Sequence, residues 1–454
     1  MSRLEILDPV LRFLPEVDKP KRHVSFKEKF IWTGGVLVLY YALLQIPVYG
    51  IAEESLADLF GPLRAVLAGS RGSILALGIG PIVTASIVLQ LLVGGKIIDL
   101  DLSQPDHRAL FQGTQKLLTI ILCFFEGFVY SYSYRPVVPL WIIMVQLAIG
   151  GILVMFLDEV VSKWGIGSGV SLFIAAGVSQ EIVSGSINPL RDPSYGQVVG
   201  AIPAFLGSLL KGTPQIWRPY PMPSMVSVFF TIVVFLIVVY AEGMRVEIPL
   251  SYSRVGMKGK YPIRFVYTSN IPVILTMALF ANIQLWASVL SSRGIYILGK
   301  VVDNVPRSGL VYYMRHPGDL FTFGSTPGYA VHALVYVLVV IACCVVFALL
   351  WSELTNVGPR EVARQIHESG MHIPGFRKDR RIIEKILDRY IPAVTVLGGI
   401  FVGLLASFAD LTNALGSGTG VLLTVGIVYQ LYQEIQREQA AEMFPIVREF
   451  LGRR

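Results

Sequence analysis

GIGPIVTASIVLQLL (residues 78–92) starts with two glycines and a proline, then runs apolar while holding Thr84, Ser86 and Gln90 inside the run. A membrane span that begins with helix-loosening residues and keeps polar groups within it needs a reason. Immediately upstream, LADLFGPLRAVLAGSRG (56–72) is apolar but too short to cross a bilayer, which takes about 20 residues as a helix. Residues 56–69 offer two to three helical turns before Gly69, Ser70 and Gly72 break them. Backbone that neither spans nor lies in water must be buried in protein or face a wet cavity. A re-entrant piece feeding the next span therefore implies a cavity, whereas an amphipathic surface loop implies none, and the stretch by itself leaves both open.

Further out, the whole chain reads as membrane-embedded. Of its 454 residues, 54% are hydrophobic and only 15% charged, well below the quarter usual in soluble domains. Ten candidate spans follow, at 30–50, 74–94, 112–133, 138–158, 166–182, 224–242, 268–290, 327–351, 391–409 and 418–435. The first 29 residues are polar and basic and lack the early apolar core of a cleavable signal. Within them Leu4, Leu7, Leu11 and Leu14 share one helical stripe, which suits either a helix on the membrane surface or a frayed tail. Cys123, Cys343 and Cys344 fall inside candidate spans and read as packing residues rather than a disulfide scaffold.

Charge sets the orientation. With ten spans both termini share a side, and the segments on that side hold 28 of the 38 Lys and Arg residues. The positive-inside rule puts both termini in the cytoplasm, and the net charge of +7 needs no nucleic-acid partner to explain it. The spans divide five and five across the external stretch 183–223, and an odd count per half forces any repeat to be inverted. Span five starts GIGSGVSLF (165–173) and span ten starts GSGTGVLLT (416–424), while Pro81-Ile-Val83 of span two matches Pro272-Val-Ile274 of span seven. Each pair runs in opposite directions through the membrane.

Catalytic and cofactor signatures are missing from the sequence. MKGKY (257–261) fails the phosphate-loop pattern, GIGSGV lacks the third glycine of a dinucleotide fingerprint, and there is no H-E-x-x-H. No cofactor and no metal site is expected. Glu126, in CFFEGFVY, is the ionisable group firmly inside a span; Glu242 and Asp410 lie at span ends. Such a carboxyl either serves function or stays protonated and bonded to a neighbouring helix.

Several long strings carry a resemblance. GIGPIVTASIVLQLL, ALFQGTQKLL (109–118), DEVVSKWGIGSGVSLFIAAGVSQ (158–180), KYPIRFVYTSNIPVILTMALFANIQLW (260–286), IPGFRK (373–378) and GTGVLLTVGIVYQLY (418–432) resemble the SecY family, the large subunit of the protein-translocation channel, and its archaeal members above all. The likeness runs over essentially the whole chain. It implies an all-α polytopic fold: a cytoplasmic tail (1–29), a five-span half (30–182), an external loop (183–223), an inverted five-span half (224–435) with cytoplasmic loops 243–265 and 353–390, and a cytoplasmic tail (436–454). The halves would surround an hourglass pore for secretory polypeptides in the cytoplasmic membrane.

Carried over by motif, the resemblance implies a constricting apolar ring of Ile79, Val83, Val170, Ile174, Ile274 and Leu423. Residues 79 and 83, like 170 and 174, are four apart and share a helical face. It makes 56–69 a plug below the ring, with Leu59, Phe60, Leu63, Val66 and Leu67 as its apolar side chains. Thr84, Glu126 and Asn282 match the polar cluster of a lateral gate between spans two and seven. Arg254, Lys258 and Lys260 in SYSRVGMKGKYPIR (251–264), with Arg377 and Lys378 in the loop 359–385, match surfaces that meet the ribosome and its RNA or the signal-recognition receptor. Implied partners also include SecE-type and Sec-beta-type small subunits, signal sequences, nascent chains and the lipid bilayer. Two other functions compete: a secondary transporter of a small solute, which suits inverted repeats but needs a polar midplane site, and an intramembrane protease built on Ser168 and His332.

Overall fold

The computed structural model describes residues 8–11, 13–22, 24–51, 68–69, 72–95, 97–98, 100, 104–133, 138–191, 196–219, 222–252, 258–265, 271–302, 305–354, 358–368, 371–372, 380–416 and 418–443. The principal elements in chain order are α1 (Phe26–Leu44), α2 (Gly80–Gly94), α3 (Pro105–Ser133), α4 (Leu140–Trp164), α5 (Gly169–Ile187), α6 (Ala201–Leu210), α7 (Met225–Gly243), β1 (Arg245–Tyr252), β2 (Lys258–Arg264), α8 (Ile271–Ser292), α9 (Tyr329–Leu354), α10 (Pro359–Glu368), β3 (Met371–His372), α11 (Arg380–Leu411) and α12 (Gly418–Met443). Each of the ten expected spans overlaps one helix of 15 residues or more. Among the described residues α4, α5, α7, α8, α9 and α11 are long and apolar enough to cross a membrane on their own. The chain divides into two compact units: Met1–Val183 with Ala278–Tyr312 and Ile427–Arg454, and Ser184–Met277 with Tyr313–Gly426.

In the first unit, α1 is started by Ser25, whose hydroxyl accepts from the Glu28 amide at 3.3 Å. It turns Val36, Tyr40 and Leu44 inward and leaves Phe30, Ile31, Trp32, Val38 and Leu39 exposed. Large apolar groups on the outside are what lipid, rather than water, permits.

Helix α2 answers the question set by its sequence. Its 15 residues reach about 22 Å, short of the roughly 30 Å of hydrocarbon. Turns at 74–79 supply more length, and the helix starts at Gly80 rather than at residue 74 as the apolar run suggests. Ala76, Gly78 and Gly80 amides donate three residues back, to Ser73, Leu75 and Leu77 carbonyls, at 2.9–3.1 Å. Those bonds satisfy the backbone while Leu75, Leu77 and Ile79 are buried. Gly78 takes φ +54°, open to glycine, and Pro81 falls in the first helical turn, where no intrahelical amide bond is lost.

Gly150 of α4 lets this turn segment sit down. A Cβ there would lie 1.9 Å from the Ile74 carbonyl oxygen, so backbone meets backbone with no flexible side chain to yield. Gly150→Val is therefore expected to destabilise the chain by about 1–3 kcal/mol or more. A clearly lowered thermal midpoint in detergent checks it; an unchanged midpoint would refute the contact.

At the other end of α4, Glu159 pairs with Lys116 of α3 and accepts from the Val17 amide at 3.0 Å. Lys163 binds the Glu16 carboxylate and the Val17 carbonyl, and the Trp164 indole donates to the Asp18 carbonyl at 2.9 Å. Lys163 thereby holds the Glu16 carboxyl below its ordinary range. Of the apolar stripe in the N-terminal tail, Leu11 faces Gly113 of α3, while Leu4 and Leu7 lie outside the described residues.

In the second unit, α7 turns small polar and apolar residues inward and large apolar ones outward: Ser227, Thr231, Val234 and Val238 are buried, while Phe229, Ile232, Phe235, Leu236 and Val239 are exposed. The buried Thr231 hydroxyl accepts from the Leu415 amide at 2.8 Å. Helices α9 and α11 come close at Gly399 and Gly403, where a Cβ would meet the Cα atoms of Val345 and Ile341 at 3.1 and 2.9 Å. The Tyr336 hydroxyl donates to Asp410 at 2.8 Å.

The same unit carries a sheet that the loop reading did not anticipate. Strands β2, β1 and β3 lie in that order, all antiparallel, with Ile248 opposite Tyr261 and Ser251 opposite both Lys258 and His372. Ile248 and Ile263 pack with Val362, Ala363 and Ile366 of α10 and with Ile383, Leu387 and Ile391 of α11. Helix α11 thus continues well beyond the expected span 391–409, because its first three turns have this small soluble core to bury against.

Candidate functional site

The three residues of the expected gate meet in the first unit. The Asn282 amide of α8 donates to the Thr84 hydroxyl of α2 at 3.1 Å and to the Ala278 carbonyl, one turn back, at 2.8 Å. Glu126 of α3 lies alongside, 6% exposed, with one carboxyl oxygen 3.2 Å from where a Cβ on Gly80 would stand. Any side chain at Gly80 would push into that carboxyl. These residues, with Leu77 and Tyr130, line a small cavity. One Glu126 oxygen has no hydrogen-bond partner among the described residues, so this buried carboxyl is incompletely satisfied beside the half-buried Thr84 and Asn282. Phe125 and Trp286 add an apolar contact between α3 and α8, ring centroids 6.2 Å apart.

The ring residues are divided between the units. Ile79, Val83, Val170 and Ile174 belong to the first; Ile274 and Leu423 belong to the second. Ile79 occupies the N-cap of α2 and accepts from the Val83 amide at 3.0 Å, so the two are stacked on one face as their spacing implies. Ile79, Val83, Ile174 and Leu423 are buried, Val170 and Ile274 half-buried. Val170 is fixed from outside its own helix: its amide donates to Asp158 Oδ1 of α4 at 2.8 Å. Gly169 is flush against the same aspartate, which a Cβ would strike at 2.5 Å, and Gly167 takes φ +76°. The glycines of GIGSGV therefore make a tight turn and close packing. Ser168 is exposed in this turn, and the His332 Nε2 is engaged with the Arg315 carbonyl at 3.0 Å.

The plug residues Leu59, Phe60, Leu63, Val66 and Leu67 lie outside the described residues, as do Arg254, Arg377 and Lys378. The end of the stretch 56–69 expected to form the plug is described: the Ala68 carbonyl accepts from the buried Tyr40 hydroxyl at 2.6 Å. Lys258 and Lys260 stand on β2, paired with Ser251 and Pro249 of β1. Among the described residues no group of three His, Cys, Asp or Glu side chains is placed to hold a metal.

Three contributors escaped the sequence reading. Gln115 of α3 donates to Ser86 of α2 at 2.5 Å, a second polar tie between those helices. Ser86 stood out as a polar group in an apolar run; its partner could be found only by folding. Asp158 caps α5 across a turn, with DE at the end of α4 as its only local hint. Gly80 read from the sequence only as a helix-loosening residue, and its approach to the Glu126 carboxyl emerges with the fold.

Comparison with known proteins gives the same family. The SecY family model matches residues 73–432, and the model of the plug domain of Sec61p matches residues 38–72. The protein translocase subunit SecY of Methanothermobacter thermautotrophicus is 54% identical over 99% of both chains. A solved structure described as "The structure of a protein conducting channel" superposes with TM-score 0.84 at 47% identity, over 96% of this chain and 98% of the other. Sec61 in the canine ribosome–channel complex from the endoplasmic reticulum superposes with TM-score 0.82 at 47% identity, over the same shares. With a family match across most of its length and a full-length relative above half identity, this chain belongs to the SecY family of protein-translocation channel subunits.

Proposed function

We propose that the chain conducts unfolded polypeptides through a ring formed by Ile79, Val83, Val170, Ile174, Ile274 and Leu423, and releases apolar segments sideways between α2 and α8. A passing chain carries backbone amides that hydrocarbon cannot solvate, so it needs a hydrated path. The membrane must nevertheless hold its ions. Apolar side chains meet both demands, since a narrow greasy constriction excludes water and still yields around a peptide. Residues 56–69 act as the plug in this reading.

The observation that carries the gate is the Asn282–Thr84 hydrogen bond beside the enclosed Glu126 carboxyl. It joins the two helices that must part. A single such bond in a membrane protein is worth about 0.6–2 kcal/mol, small enough for an apolar signal helix to displace. Signal binding then shifts a closed–open equilibrium by its preference for the open state. Asn282→Leu is expected to let weaker signal sequences through, by about 3- to 30-fold in transport of a marginal substrate into proteoliposomes. Glu126→Gln should alter signal choice without abolishing transport. Unchanged selectivity in both variants would reduce the cluster to packing.

The remaining assignments belong to the same proposal. The chain sits in the cytoplasmic membrane with both termini inside, as its cation distribution favours. The halves 30–182 and 224–435 work as inverted repeats. The sheet-bearing loops 243–265 and 353–390 face the cytoplasm and receive the ribosome or signal-recognition receptor, consistent with the likeness to Sec61 in a ribosome complex. SecE-type and Sec-beta-type subunits accompany the chain.

A further inference from the structure

The short helix α6 carries none of the residues proposed above for ring, gate or plug. Its sequence AIPAFLGSLL contains no charge, and it turns Ile202, Leu206, Leu209 and Leu210 outward, the last of them 90% exposed. Their spacing of i, i+4, i+7 and i+8 makes one continuous apolar stripe, which water would leave unsatisfied.

Both ends of this helix are tied to ends of membrane spans. The Gly200 amide donates to the Asn188 carbonyl at 2.8 Å and the Val199 amide to the Leu190 carbonyl at 2.9 Å, just past the end of α5. After the helix, the Gln215 amide returns to the Ser208 hydroxyl at 3.1 Å. Arg218 is then buried, donating to the carbonyls of Val198 at 2.8 Å and Pro223 at 3.2 Å, one residue before the Ser224 cap of α7. These bonds hold the residues that enter and leave the α6 loop beside the end of α5 and the start of α7. Ile187 and Leu190, at the end of α5, are exposed as well, so the outward apolar surface continues from the span onto the loop. Exposed Lys211 directly follows the stripe, and half-exposed Trp217 lies close behind. Apolar stripe, cation and indole together supply the groups that suit a bilayer boundary: acyl chains, phosphates and the interfacial zone between them.

We propose that α6 lies in the bilayer surface at the α5–α7 connection, its stripe among lipid acyl chains and Lys211 at the phosphates. The loop 183–223 thereby becomes a membrane anchor between the two halves rather than a solvent-facing linker.

The test uses the full chain in phosphatidylcholine–phosphatidylglycerol vesicles, with the three native cysteines replaced by alanine. Leu206→Cys, Leu210→Cys and Thr213→Cys are labelled one at a time with a polarity-sensitive fluorophore. Lipids with a nitroxide high on the acyl chain should quench the labels at 206 and 210 about tenfold more than the label at 213. Equal, weak quenching at all three positions would overturn the proposal. So would labels at 206 and 210 that become shielded only when a membrane partner subunit is added, since the stripe would then serve a protein. A second measurement stands apart from label chemistry: Leu206→Asp with Leu210→Asp, cysteines intact, should raise proteolytic cleavage of this loop in intact vesicles about tenfold. Unchanged cleavage would also refute the anchor.

Discussion

Ile79→Ser, Val83→Ser and Ile274→Ser together will raise ion conductance through planar bilayers by about tenfold or more over the unaltered chain. The seal proposed here is a matter of wetting rather than of a rigid stopper. Each isoleucine or valine presents only hydrocarbon, so water confined among such groups loses hydrogen bonds and leaves. A serine restores a donor and two acceptors at each position, and hydrated ions follow the water. Glycine replacements should leak too, through widened space. Ile79 and Val83 are buried, so serine there also loosens the packing of the first unit. Ile79→Leu with Val83→Ile separates the two causes, because both substitutions alter shape while staying apolar and should remain tight. A leak in that variant equal to the serine variant would reject the apolar seal, as would silence in both.

Arg254→Glu combined with Arg377→Glu should weaken ribosome binding to vesicles holding the chain by about tenfold or more. Both positions fall in basic loops proposed to face the cytoplasm, where arginines would meet ribosomal RNA through its phosphates rather than its base sequence. Each phosphate contact removed should flatten the dependence of log affinity on log salt by about one unit. Co-sedimentation with ribosomes across a salt series measures both quantities. Affinity and slope matching those of the unaltered chain would show that the cations serve topology alone.

Much of the helical framework was legible in the sequence, because apolar runs near the bilayer's length have one economical conformation. Where the sequence and structure part, the reasons are local. Residues 74–79 read as the start of a span because they are apolar, yet they fold as turns whose amides bond three residues back. Helix α11 read as a span from residue 391, but Ile383, Leu387 and Ile391 continue its buried stripe into the soluble core. The small sheet was missed although Val246, Ile248 and Leu250 alternate with polar or turn-forming neighbours, a strand period that the nearby glycines obscured. Thr84, Glu126 and Asn282 came from resemblance; no spacing rule would join positions 84, 126 and 282. Asp158 and Gln115 escaped because their partners are across a turn and on another helix.

Helix α11 has a mechanical consequence. Its 32 residues extend about 48 Å, with the β1–β2 hairpin and α10 clasping the first three turns and an apolar run forming the rest. Pro392, between Ile391 and Val394 of that same core, removes one rung of the hydrogen-bond ladder. The missing rung therefore falls inside the packed collar of sheet and α10, where side-chain burial on either side of the proline, at Ile391 and Val394, braces the helix that its own backbone ladder leaves one bond short.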